Sequence, residues 1–185
     1  MTEQFGGIIL AGGKSSRMGT DKGLMEYNGK LLVEYAIDLL RPFCAEIIIS
    51  SNNSDYERLG LKVVPDIFRD CGPVGGLHAA LSGSHFNYNI VVSCDTPFVV
   101  AELFDLLLAQ KKGVDIVLPE HKRGMEPLIG VYRKEVASFF EVKLIEKDFK
   151  MKDVVHACNN RKVAVDELIV KYPNLFKNLN SKNDL

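Results

Sequence analysis

Short apolar runs separated by amphipathic stretches organise the chain. Phe5 to Leu10 predicts a buried first strand, and Glu46 to Ser50, Leu61 to Val64, Tyr88 to Ser93, Asp115 to Leu118 and Leu128 to Tyr132 predict further ones, with Tyr88 to Ser93 the clearest central strand. Leu31 to Leu40 sets Leu32, Tyr35, Ala36, Leu39 and Leu40 at helical spacing before Pro42 ends the run. Glu102 to Gln110 and Glu135 to Ile145 predict two more helices, and another follows a glycine-rich segment at His78 to Gly83. Lys150 to Val155 predicts a short helix and Lys162 to Val165 an edge strand, while Glu120 to Pro127 reads as irregular. Ser181 and Asp184 have capping-box spacing, but only Leu185 follows, so the helix they signal should fray. Strands alternating with helices predict an α/β protein: a three-layer α/β/α sandwich on a doubly wound, mostly parallel sheet. At 185 residues the chain suits one well-buried domain spanning 1–185.

The stretch Leu10-Ala-Gly-Gly-Lys-Ser-Ser-Arg-Met-Gly-Thr-Asp-Lys22 follows the first strand, at the end where open α/β sheets bind ligands. Gly12, Gly13 and Gly19 permit close backbone approach, and Lys14, Arg17 and Lys22 supply positive charge with no acid before Asp21. That combination suits a polyphosphate; the alternative is a solvated turn with ordinary surface lysines. A Walker motif ending at Gly13-Lys14-Ser15 would need glycine at Ile8, and no Gly-x-Gly-x-x-Gly occurs, so both common phosphate fingerprints are disfavoured.

Asn52, in the turn after the second strand, shares the rim of the glycine loop if the two strands are parallel; its other reading is turn chemistry or a helix cap. Gly72 to Gly76 reads either as a second backbone cradle or as a turn launching a helix. Asp95, directly after the central strand, is the metal candidate, because magnesium takes one or two carboxylates together with phosphate oxygens and water. A helix cap is its other reading, but Pro97 and the run Phe98 to Val100 delay the next helix.

Composition narrows the possibilities. A net charge of −1 provides no global field for nucleic acid or an anionic membrane, so any anion must be caught locally. The hydrophobic and charged fractions, 46% and 25%, suit a soluble globular domain. The acidic, briefly apolar start fits neither a signal peptide nor a membrane span, so the expected location is cytoplasmic. Cys44, Cys71, Cys94 and Cys158 form no C-x-x-C pair, and His78, His85, His121 and His156 show no metal-binding spacing; both sets read as structural.

In combination these motifs resemble the molybdenum cofactor guanylyltransferase family. The resemblance lies in Leu10 to Leu24, Asn52, Pro65-Asp66, Gly72-Pro73 with Gly76, Cys94-Asp-Thr-Pro-Phe98 and Phe176-x-Asn178-x-Asn180, running from end to end of the chain. It implies that Leu10, Ala11, Gly12, Gly13 and Lys22 contact GTP, that Asn52 and Asp66 line the nucleotide pocket, and that Asp95 binds Mg2+. Asn178 and Asn180 would face the pterin. Ser181-Lys-Asn-Asp departs from the family's usual threonine-proline-glutamate, which bears on the geometry of the two asparagines.

The implied reaction is attack by the terminal phosphate of molybdenum-molybdopterin on the α-phosphorus of GTP, the co-substrate, releasing pyrophosphate. A phosphate monoester has its second pKa at about 6, so the nucleophile is already ionised at neutral pH and needs no general base. Lys22, Arg17 and magnesium-bearing Asp95 would carry the catalysis. Cofactor-delivery proteins and acceptor molybdoenzymes are the implied protein partners. The rivals are a cytidylyltransferase or sugar-phosphate nucleotidylyltransferase, and a nucleotide-binding module without turnover. Leu10-Ala-Gly-Gly and Asp95-Thr96 favour the guanine enzyme, by resemblance, over the cytidine one.

Overall fold

The apolar runs pair into one mixed sheet in the computed structural model, which describes residues 3–12 and 21–180. In chain order the strands are β1 (Phe5–Leu10), β2 (Glu26–Tyr27), β3 (Lys30–Leu31), β4 (Cys44–Ser50), β5 (Lys62–Val64), β6 (Tyr88–Ser93), β7 (Ile116–His121), β8 (Gly124–Met125), β9 (Gly130–Arg133) and β10 (Asn160–Ala164). The main sheet runs β10-β7-β9-β6-β1-β4-β5, with β8 on β7, while β2 and β3 make a separate hairpin. β1 is parallel to both β4 and β6, so three strand ends, Leu10, Ser50 and Ser93, lie side by side. Strand order reverses at β1, which is where such sheets open a crevice.

Two apolar faces require two helical layers. Along β1, Ile9 joins one core cluster and Ile8 and Leu10 the other, the alternation that a pleated strand imposes. The first cluster is completed by α1 (Leu32–Leu40), α3 (Ala101–Ala109) and α6 (Asp166–Lys171). The second is completed by α2 (Gly72–Gly83), α4 (Val136–Ile145) and α5 (Met151–His156). The expected doubly wound α/β/α sandwich is therefore the observed fold, and the parallel pairing of β1 with β4 brings Asn52 to the rim of the glycine loop.

Several details differ from the expectation. β9 runs antiparallel to both β6 and β7, because an apolar run carries no direction and the chain returns through the β7–β8 ribbon before entering the sheet. The part of 120–127 read as irregular contains that ribbon. Gly72 to Gly76 is not a loop cradle but the opening of α2. The β2–β3 hairpin and α6 were not expected. At the hairpin tip Asn28 and Gly29 both have positive φ, 50° and 75°, as a type I′ turn requires. The capping-box pair Ser181 and Asp184 lies outside the described residues.

Candidate functional site

The three strand ends are stitched into one surface by hydrogen bonds, two between backbone groups and one from a serine hydroxyl. Ala11 N–H donates to the Ser50 carbonyl at 3.0 Å, Cys94 N–H to the Leu10 carbonyl at 3.1 Å, and Ser51 Oγ to the Ala11 carbonyl at 3.2 Å. This fixes the start of the glycine loop against the segments carrying Asn52 and Asp95. Among the described residues a Cβ at Gly12 would meet the Ser50 carbonyl alone, at the ordinary contact distance of 3.9 Å, and Gly12 borders a cavity. Gly76 differs: a Cβ would come 2.8 Å from Ser50 Oγ and 3.4 Å from Asp66 Oδ1, so its absence lets α2 press against the end of β4.

Two adjoining cavities open on this surface. The first, about 590 Å³, is bordered by Leu10, Gly12, Asn52, Asp66 and Gly76 together with Phe149. The second, about 600 Å³, is bordered by Asp95, Asn178, Glu126, Lys150 and Lys152. Pro73, Ser93 and Leu128 border both, so a ligand in one can touch a ligand in the other.

Asn52 and Asp66 hold each other. Asn52 Nδ2 donates to Asp66 Oδ2 at 3.0 Å while Asp66 N–H donates to Asn52 Oδ1 at 2.9 Å. Capping falls to the next residue, whose Oδ1 accepts from Asp55 N–H at 3.0 Å to start the 3-10 helix Ser54–Leu59. Asn52 is thus a latch between two rim loops rather than a cap. Burial raises the Asp66 carboxyl above its ordinary value; the Asn52 hydrogen bond opposes this and the Asp70 charge adds to it.

Asp95 is held from several directions. Ser93 Oγ donates to its Oδ1 at 2.5 Å, and Leu179 N–H donates to its carbonyl at 2.9 Å. Its Oδ2 lies 3.7 Å from Lys22 Nζ, a charge contact beyond hydrogen-bond reach. The cap reading does not apply, because α3 starts from Val100 with no side-chain cap. Among the described residues no three His, Cys, Asp or Glu side chains cluster for a metal cage. A partly exposed carboxylate beside an open cavity nevertheless fits a magnesium ion that takes its remaining ligands from phosphate and water.

Lys22 opens a 3-10 turn, Lys22–Leu24, that is anchored by a group not anticipated from the sequence. Asp21 Oδ1 accepts from Gly23 N–H at 3.1 Å and from the buried Tyr56 hydroxyl at 2.5 Å, and its Oδ2 accepts from Asn53 Nδ2 at 3.2 Å. A Cβ on Gly23 would lie 2.2 Å from the Tyr56 oxygen, so this packing excludes any side chain. The available sequence signal was an acid interrupting a run of cations. Burial, chiefly, drives the Tyr56 phenol well above its ordinary pKa and keeps it a donor.

The two asparagines of the tail divide their work. Asn178 borders the second cavity, whereas Asn180 Oδ1 accepts from Lys22 Nζ at 2.7 Å. Buried Leu179 sits between them and packs with Met25 and Leu32. Upstream, Phe176 stacks on His121, centroids 5.2 Å apart and planes at 18°, and the imidazole Nε2 is 3.0 Å from Glu126 Oε1. Lys22, Asp95, Asn178 and Asn180 are therefore gathered on one side of the site, and Leu10, Ala11, Gly12, Asn52 and Asp66 on the other. Gly13, Lys14, Arg17 and Gly19 lie outside the described residues.

The thiols and the remaining buried histidine are structural. All four cysteines are free. Burial raises Cys44 and Cys158 to about 12 and also lifts Cys71 and Cys94, so none is poised as a thiolate. His78 is buried with Nδ1 unpaired, and burial lowers its pKa against the opposing pull of Glu141. No described helix is long and apolar enough to cross a membrane.

Comparison with known proteins places this geometry among relatives. The MobA-like NTP transferase domain matches residues 7–163. A probable molybdenum cofactor guanylyltransferase of Pelotomaculum thermopropionicum is 36% identical, the match covering 98% of this chain and 90% of that one. One from Natranaerobius thermophilus is 30% identical across 100% and 95% of the two chains. The crystal structure of molybdopterin-guanine dinucleotide biosynthesis protein A from Archaeoglobus fulgidus superposes with a TM-score of 0.80 at 26% identity, covering 97% of this chain and 94% of that one.

Proposed function

The chain belongs to the MobA-like NTP transferase family, and on that premise we propose that it transfers GMP from GTP to the terminal phosphate of molybdenum-molybdopterin and releases pyrophosphate. The observation that carries this reading is the joining of two cavities at Pro73 and Ser93, with Asp95 and Lys22 close beside the junction. One cavity takes the nucleotide against Leu10, Ala11, Gly12, Asn52 and Asp66; the other takes the pterin against Asn178 and Asn180. The relatives' names support the choice of guanine over cytosine.

A phosphate oxygen of the pterin forms the new bond to the α-phosphorus as the bond to the bridging oxygen breaks, and that electron pair leaves on pyrophosphate. The nucleophile is already ionised, which suits a site whose two cavities are bordered by no histidine among the described residues. Lys22 balances charge on the phosphates, and Arg17 and Gly13, from the same glycine-rich stretch of sequence, are assigned to the same task. Asp95 is the residue that would hold Mg2+, which when bound supplies charge neutralisation at the phosphates. Ser93 and the Leu179 amide keep Asp95 in place for that role. Residues 1–185 then act as one nucleotidyltransferase domain, and four unpaired thiols agree with a cytoplasmic setting. Delivery of the pterin and hand-over of the product to molybdoenzymes would involve further proteins.

The test is pyrophosphate release by purified protein given molybdenum-molybdopterin, divalent cation and either GTP or CTP. Release with GTP and little with CTP is expected. Preference for CTP would reassign the base, and tight GTP binding without pyrophosphate would make the protein a binding module.

A further inference from the structure

Phe149 stands out among the aromatic side chains because it remains 39% exposed while Phe104, Phe140, Tyr56 and Tyr132 are fully buried. It occupies the connection between α4 and α5, which hydrogen bonds hold in place: Lys147 N–H donates to the Leu144 carbonyl at 3.1 Å, and Asp148 N–H to the Lys143 carbonyl at 2.9 Å. Lys147 turns the chain there with φ of 60°. Phe149 is the one aromatic among the described residues bordering the first cavity, where it is accompanied by Leu128. From Lys150 onward the same segment borders the second cavity. Position 149 thus marks where the chain passes from one cavity to the other, with the aromatic ring assigned to the cavity of Asn52 and Asp66.

We propose that Phe149 is a nucleotide-specificity residue, the apolar wall against which the nucleoside of the substrate packs; this rests on the nucleotidyltransferase reading above. Ligand pockets combine apolar surface with a few oriented polar groups, and Asn52 and Asp66 supply the latter. A triphosphate has no use for an aromatic face, whereas a base or ribose does. The ring therefore selects the nucleoside part of the ligand and leaves the phosphate part to the glycine loop. A partly exposed aromatic ring at the cavity also gains more from a purine than from the smaller pyrimidine ring.

Titrations with GTP and with inorganic tripolyphosphate, both with divalent cation present, separate the two parts. Phe149→Ala is expected to raise the Kd for GTP about tenfold, within the range for loss of one base–aromatic contact, and to leave tripolyphosphate affinity and the KM for the pterin unchanged. Phe149→Trp should restore GTP binding, and matching thermal melts would establish that the variants fold. Unchanged GTP affinity in Phe149→Ala, equal loss of tripolyphosphate, or a defect confined to the pterin would each overturn the assignment. Failure of the unaltered protein to bind GTP would instead overturn the underlying reading.

Discussion

Lys22 Nζ donates a hydrogen bond to Asn180 Oδ1 across 158 residues of sequence, at 2.7 Å. The contact ties the end of the glycine loop to the tail that carries Asn178, and it leaves the lysine within 3.7 Å of Asp95. Asn180→Ala should therefore raise the KM for molybdenum-molybdopterin about tenfold, roughly 1.4 kcal/mol, while GTP affinity stays within about twofold. Steady-state kinetics with each substrate varied would read it. An equal loss for both substrates would mean the tail merely supports the fold.

Asp95→Asn preserves shape but removes the charge. Turnover should fall at least tenfold, about 1.4 kcal/mol in the barrier, and the divalent cation concentration needed for half-maximal rate should rise. A cation titration of both proteins is the measurement; an unchanged cation requirement would remove Asp95 from metal binding.

The anchor beneath Lys22 makes a prediction about stability. Tyr56→Phe deletes the hydroxyl that donates to Asp21 and should cost about 1.5–3 kcal/mol, the range for a hydrogen bond to a charged group. Gly23→Ala should be at least as damaging, since its Cβ would fall 2.2 Å from that same oxygen. Urea unfolding of the two variants and of the double variant would check this. If the clash involves the hydroxyl, Gly23→Ala should cost less in the Tyr56→Phe background.

His78 supplies a pH test. Its folded pKa lies below the ordinary 6.5, chiefly through burial, so the unfolded chain takes up a proton that the folded one resists. The stability it allows is present above pH 6.5 and is lost as pH falls through the lower, folded value. Asp66 acts in the other sense: its raised pKa makes stability fall as pH rises above 3.8. His78→Leu should flatten the acid limb just below pH 6.5, measured by denaturant unfolding across pH. An unaltered slope would mean that other groups govern it.

The parts of the site that were legible in the sequence are those fixed by local pattern. Ile8, Ile9 and Ile90 to Val92 announce buried strands by their chemistry, and the strand ends then place Gly12, Asn52 and Asp95 on one rim. The direction of β9 was not legible, because Gly130 to Arg133 reads the same in either sense. The Asn28-Gly29 pair is itself a hairpin signal, but the strands it joins, at two residues each, are too short to show an alternating pattern. Asp21 could not be read as an anchor, since Tyr56 and Asn53 meet it only after folding. Phe149 carries no local pattern that distinguishes it from any apolar residue between two helices, because the cavity it borders is assembled from distant segments.

The Leu179 amide bonded to the Asp95 carbonyl has a consequence for synthesis. On the ribosome, β1, β4 and β6 all emerge well before residue 179, so a nascent chain can assemble the centre of its sheet and the Asn52–Asp66 latch while the rim around Lys22 and Asp95 is still unfinished. Leu179 and Asn180 close it only once they too have emerged. A half-made polypeptide is thereby kept from completing a site for two reactive anions, and a shortened one is expected to hold nucleotide better than it consumes it.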